Sequence, residues 1–172
     1  MNTSLIEKIL KKFPKISHEL SLDFDVLTVD KDEYLKVAQY LKIEPDLEFD
    51  HCSDLSGVDY LDHMEVVSHL YSYQLGHHLR LKVMIDDREA PEVSSLTSLW
   101  STVGWHEREA WDLYGIKFTG HADLRRILSA DDQPGHPYRK DVPLENDEEW
   151  LLADEKPAAD YGLVERETKV GD

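Results

Sequence analysis

The chain has 172 residues and a formal charge of −17, with 36 acidic residues against 19 Lys and Arg. That length fits one domain with a real core and room for a tail; the negative balance disfavours nucleic acid and anionic lipid as ligands, and no apolar run reaches the ~18–20 residues of a membrane span. The single cysteine, Cys52, excludes an intrachain disulfide framework and any four-cysteine metal or iron–sulfur site held by this chain alone, and the eight glycines never take the spacing of a nucleotide-binding loop.

Along the chain, Leu5, Ile6, Ile9 and Leu10 recur at helical spacing, which predicts a helix over 3–12. Ser4 with Glu7 offers a capping box, and Pro14 closes the helix. Residues 24–29 alternate as a strand. Asp30 or Asp32 then caps a second helix with Tyr34, Leu35, Val37, Ala38 and Leu41 on one side, ended by Pro45. Residues 48–52 read as a short strand and 64–73 as a longer one, with 74–77 as the hairpin loop. In 78–85, Leu79, Leu81, Val83 and Ile85 alternate with Arg80, Lys82 and Met84, the pattern of a half-buried antiparallel strand. Residues 95–100 are predicted as a short helix. Residues 103–114 are predicted as another, with Gly115 placed to end it in the left-handed conformation.

This order predicts a two-layer α+β fold, helices packed on a mostly antiparallel sheet, with an extended C-terminal segment. Three regions follow: a platform over 1–114, an extended partner-docking segment over 115–144, and an acidic tail over 145–172. From residue 142 onward there are ten acids against three bases. Residues 115–141 invert that balance, with Lys117, Arg125, Arg126, Arg139 and Lys140 against four acids. A basic island on an acidic chain is a candidate contact surface, and paired arginines hold carboxylates as two-pronged forks.

Few residues invite catalytic chemistry. His106 and Glu109 stand at i, i+3 on the helix over 103–114, and with His121 they make the one metal set worth weighing. His77 and His78 face opposite ways on a strand. Cys52 beside His51 reads as an incidental buried thiol, and no G-x-S-x-G elbow is present. On the same helix Arg108 and Asp112 are spaced as an i, i+4 ion pair.

The densest information lies in Glu107-Arg-Glu-Ala-Trp-Asp-Leu-Tyr-Gly-Ile-Lys-Phe-Thr-Gly-His-Ala-Asp-Leu-Arg-Arg-Ile-Leu128, followed by Gly135-His-Pro-Tyr-Arg-Lys-Asp-Val-Pro-Leu144. These two blocks resemble the motif of the C (30 kDa) subunit family of NADH–quinone oxidoreductase, respiratory complex I. Ala122 stands where the family usually has proline, and Tyr138 and Val142 replace the commoner leucine and phenylalanine. The resemblance implies a structural subunit of the peripheral arm, part of a proton-translocating enzyme but without catalytic residues of its own. It implies no cofactor or metal in this chain, with FMN, iron–sulfur clusters and quinone held by partner subunits. It further implies the D (49 kDa) and B subunits as partners, and a peripheral position on the cytoplasmic side of a bacterial inner membrane or the equivalent organellar face. The membrane is reached only through the complex, and no nucleic acid is expected. The matching polar and glycine positions are Glu107, Arg108, Glu109, Asp112, Gly115, Gly120, His121, Asp123, Arg125, Arg126, His136, Arg139, Lys140 and Asp141, expected to fix loops or face partners. The equivalent subunit of a related membrane-bound nickel–iron hydrogenase is the near alternative. An independent metalloenzyme and a free-standing acidic adaptor are the distant ones.

Overall fold

In the computed structural model the described residues are 3–22 and 24–142; the expected tail over 145–172, and Pro143 and Leu144 at the end of the segment before it, lie outside them. Helix α1 (Thr3–Lys12) buries Ile6 and Ile9 and ends on Lys11 and Lys12, cations suited to the negative end of the helix dipole. Helix α2 (Lys31–Ile43) buries Tyr34, Val37, Ala38 and Leu41, one apolar stripe. Asp30 stands at its N-cap position but makes no side-chain cap bond. Glu44 closes it, its N–H donating to the Tyr40 carbonyl, and Pro45 prevents continuation.

Five strands form one mixed sheet in the order β1-β2-β5-β4-β3: β1 (Ser17–Ser21), β2 (Phe24–Asp30), β3 (His51–Asp59), β4 (Met64–Ser72) and β5 (His77–Ile85). All neighbours are antiparallel except β2 and β5, which run parallel with Leu27 opposite Leu81. The α+β expectation therefore holds, with one parallel pair inserted. The α2 stripe packs on one sheet face, where Leu27, Leu55, Met64, Val66, Leu70, Leu79, Leu81, Val83 and Ile85 make the core. There the Tyr34 hydroxyl bonds the Ser68 hydroxyl at 2.8 Å, satisfying both buried groups.

Several expected elements shift. Ser17–Ser21 forms an edge strand that its exposed, polar sequence conceals. The strand expected over 48–52 instead runs His51–Asp59, because a bulge between Cys52 and Asp54 resets its alternation. The expected helix over 95–100 is a series of turns. A small parallel pair, β6 (Glu92–Ser94) and β7 (Lys117–Thr119), flanks helix α3 (Val103–Tyr114) in sequence. Helix α3 packs against β3, where Gly57 leaves no room: a Cβ there would lie 2.9 Å from the Tyr114 ring. Trp100 is buried and its indole N–H donates to the Phe49 carbonyl at 3.0 Å, tying the turns to the loop before β3.

Candidate partner-docking segment

Helix α3 directs three charged side chains inward. Glu107 is fully buried; its carboxylate accepts the Ser95 hydroxyl and the Leu96 N–H, both at 2.6 Å. This carboxylate anchors the start of the turns over 95–100 to α3. Burial pushes the Glu107 carboxyl above its ordinary value, against the pull of those two bonds.

Arg108 and Asp112 do not pair with each other as their spacing suggests. Arg108 donates to the carbonyls of Arg125 and Arg126 at 3.1 and 3.0 Å and lies 5.1 Å from the Trp105 ring. Asp112, fully buried, accepts three successive amide N–H groups, Ile127 at 3.0 Å and Leu128 and Ser129 at 2.8 Å. Arg126 closes the set, donating to Asp112 Oδ1 at 2.8 Å and to the carbonyls of Gln133 and Gly135, both at 2.9 Å. Burial acts to raise the Asp112 carboxyl, but the amides of Ser129, Ile127 and Leu128 outweigh it and hold the group well below the usual carboxylate range. Long-range satisfaction of an irregular backbone thus wins over a local helix pair worth only ~0.3–0.5 kcal/mol.

Downstream, Gly115 ends α3 at φ 79°, and the His136 ring stands where its Cβ would be, 2.6 Å away. His136 Nδ1 donates to the Asp112 carbonyl at 2.8 Å, and the Tyr138 N–H donates to the Leu113 carbonyl at 3.0 Å. His121 Nε2 donates to the Gly104 carbonyl at 3.0 Å while its Nδ1 accepts the Asp123 N–H at 3.0 Å, a pairing that fixes the neutral Nε2–H tautomer. Gly120 also takes a positive φ. Arg139 bonds the Arg88 carbonyl. Residues 120–142 are therefore an irregular strap, held by side chains of the platform.

Two residues of this frame, Asp59 and Arg88, lie outside the motif and are missed in the sequence. Asp59, at the end of β3, accepts Arg88 Nε and Nη2 at 2.9 and 2.8 Å and the Lys140 N–H at 2.9 Å. Arg88 also grips Asp141 at 2.7 Å. The Arg88 guanidinium holds the carboxyls of Asp59 and Asp141 low. Only the turn-forming Asp59-Tyr-Leu-Asp62 could have pointed there.

The remaining positions face solvent. Glu109 is exposed, and Arg125, with 69% of its side chain exposed, pairs among the described residues only with Asp123, at 2.9 Å. Leu128 is 65% exposed and Tyr138 61%. His106 lies 3.4 Å from Asp54, and among the described residues no group of three or more His, Cys, Asp or Glu is arranged to hold a metal ion. Among the same residues no helix is long and apolar enough to cross a membrane. Cys52 is buried, and burial pushes its thiol up to about 12.

Comparisons with known proteins match the segment and the platform together. The NADH-quinone oxidoreductase C-subunit of Albidiferax ferrireducens is 46% identical over 138 residues, covering 75% of this chain and 68% of that protein. Its counterpart of the same description from Polynucleobacter asymbioticus is 42% identical over 173 residues, covering 95% and 86%. Among solved structures, a chain of the archaeal membrane-bound sulfane sulfur reductase, a respiratory membrane complex, superimposes with a TM-score of 0.70 over 95% of this chain and 92% of its own, at 21% identity, and so shows the same fold. The family model of the 30 kDa subunit of the respiratory-chain NADH dehydrogenase matches residues 27–148, and the chain belongs to that family.

Proposed function

We propose that this chain serves a proton-translocating NADH–quinone oxidoreductase as a structural subunit of its peripheral arm, binding neighbouring subunits rather than a cofactor. The curated relatives are C-subunits of that enzyme. In this reading FMN, iron–sulfur clusters and quinone belong to the partners, and the D (49 kDa) and B subunits are the neighbours. The complex lies peripherally on the cytoplasmic side of the membrane. The platform over 1–114 carries the docking segment over 115–144. Electron transfer slows steeply with cofactor separation, so a rigid spacer serves turnover without touching an electron.

One observation carries the reading. Arg108, Asp112, His121, Arg126 and His136 all turn inward to shape the strap, which leaves Arg125, Leu128, Tyr138 and Lys140 presented outward on a fixed backbone. Pre-ordering a loop removes much of the entropy cost of binding. Such geometry suits recognition of a protein surface.

The test uses the full chain, tagged, in cells lacking their own copy. Expected is co-purification of the iron–sulfur and quinone-site subunits with NADH–quinone activity. The combined change Arg125→Ala with Leu128→Ala should lower recovery of the complex while the isolated chain melts as before. A chain recovered alone, as a free monomer, refutes the proposal. A variant that assembles fully but loses turnover would instead assign it a catalytic role.

A further inference from the structure

The turn between β3 and β4 holds a feature the strap does not explain. Leu61 sits at φ 75°, in the left-handed region, with 59% of its surface exposed. A Cβ is crowded there, and glycine adopts the conformation without that penalty. In the isolated chain an exposed leucine gains little from burial to offset the strain. The position is nevertheless firmly built. The Leu61 N–H donates to Asp59 Oδ1 at 2.9 Å, and the Tyr60 N–H donates to the His63 carbonyl at 3.0 Å. Tyr60 stacks flat on His63, centroids 4.8 Å apart. Local strain of this kind points toward function when the surroundings enforce it.

Asp59 joins this turn to the end of the strap. The same buried carboxylate that holds Leu61 accepts Arg88 and the Lys140 N–H. The Lys140 ammonium lies 5.7 Å from the Tyr60 ring, and Tyr138 meets Tyr114 edge-on at 5.9 Å. Tyr60, Leu61, Tyr138 and Val142 are all exposed. Charge then selects the partner. Of the acids here, Asp59 and Asp141 are engaged by Arg88, which Glu89 also approaches at 3.9 Å, and Asp62 is engaged by His63 Nδ1 at 2.8 Å. Among the described residues the exposed Lys140 ammonium has no carboxylate partner. Lys140 is thus the exposed cation left unpaired at this corner, beside the apolar side chains.

We propose that the β3–β4 turn and the strap end together form one docking surface for a neighbouring subunit whose matching face is an apolar socket with a carboxylate at its rim. The socket takes Leu61 and the carboxylate meets Lys140. Aromatic and apolar anchors at a packed centre, with charge at the edge, carry most of the energy of such contacts. This inference rests on the reading that the chain works inside an NADH–quinone oxidoreductase, and it adds residues outside the motif by which the family is recognised.

The experiment is a competition. Full-length wild-type and Leu61→Gly chains, distinguishable by mass, are expressed in equal amounts in cells lacking the native copy. The complex is purified through another subunit and the two chains are quantified. Leu61→Gly should melt at or above the wild-type temperature, because glycine relieves the strain, yet be depleted at least tenfold in the complex. Lys140→Glu should melt as wild type and also be depleted. Equal shares for Leu61→Gly overturn the proposal, as does a lower melting temperature for that variant. Equal shares for Lys140→Glu overturn the acidic rim. If the wild-type chain itself fails to enter the complex, the functional reading falls and this one with it; if it enters alongside an equal share of Leu61→Gly, only this one falls.

Discussion

Replacing Asp112 by Asn removes one charge and almost no volume, so it tests the strap directly. Asp112 is fully buried and receives three amide hydrogen bonds at 2.8–3.0 Å and one from Arg126 at 2.8 Å. An asparagine must turn its NH2 either toward three N–H donors or toward the arginine. Each orientation sets donor against donor. It also leaves Arg126, only 14% exposed, without its counter-charge. Hydrogen bonds to charged groups contribute ~1.5–3 kcal/mol each, and breaking a buried pair costs ~3–5 kcal/mol. A loss of about 3 kcal/mol for local opening of the strap follows. At ~1.4 kcal/mol per tenfold, hydrogen exchange at the amides of Ile127, Leu128 and Ser129 should accelerate about 100-fold. Amides of β5, paired on both sides in the centre of the sheet, should change far less. Unchanged protection at those three amides would refute the claim that the carboxylate organises the segment.

Glu107→Gln keeps an acceptor for the Leu96 N–H and can donate to the Ser95 hydroxyl, which has Thr97 at 2.7 Å as its next partner. The wild-type carboxyl titrates above its unfolded value, so as pH rises from about 4.3 the unfolded state releases its proton first and stability falls. The melting temperature of the variant minus that of the wild type should therefore grow between pH 4 and 8; a flat difference contradicts this. Asp59 and Asp112 act in the opposite sense, their folded values lying low, so stability should be lost as pH falls below about 4, read by acid unfolding. Gly115→Ala places a Cβ 2.6 Å from the His136 ring at φ 79°, and a cost of ~2–3 kcal/mol should lower the calorimetric melting temperature by ~5–10 °C. Cys52 should resist iodoacetamide at pH 8 in the folded chain and react once unfolded in urea, since its thiol lies near 12.

What could be read from residue order was what periodicity controls. β5 alternates cleanly because one face is core and the other is half-open, and α2 and α3 show their buried stripes. β1 was hidden because an edge strand with four exposed residues in five has no alternation to show. β3 was shortened because its bulge moves the apolar set by one residue, so that Cys52 and Leu55 share a face three positions apart. In the docking segment the motif named the right residues but not their partners. Asp112 is four residues from Arg108 and fourteen from Arg126, and spacing favours the nearer. Only tertiary folding makes the farther one win: Arg108 is drawn to the carbonyls of Arg125 and Arg126, while Arg126 reaches Asp112 together with the carbonyls of Gln133 and Gly135. The paired arginines also divide. Arg126 is turned inward and Arg125 outward, a split that adjacent positions cannot reveal.

The parallel pairing of β2 with β5 has a consequence for how the molecule is made. The first hairpin emerges early from the ribosome, yet its inner edge matches a strand that ends at Ile85. Until more than fifty further residues have been synthesised, Leu27 and Val29 have no sheet neighbour on that side. Closing so wide a loop is entropically slow. The amino-terminal quarter must therefore wait, held by α1 and α2 alone, and a ribosome stalled before residue 85 would expose a sticky half-sheet to chaperones.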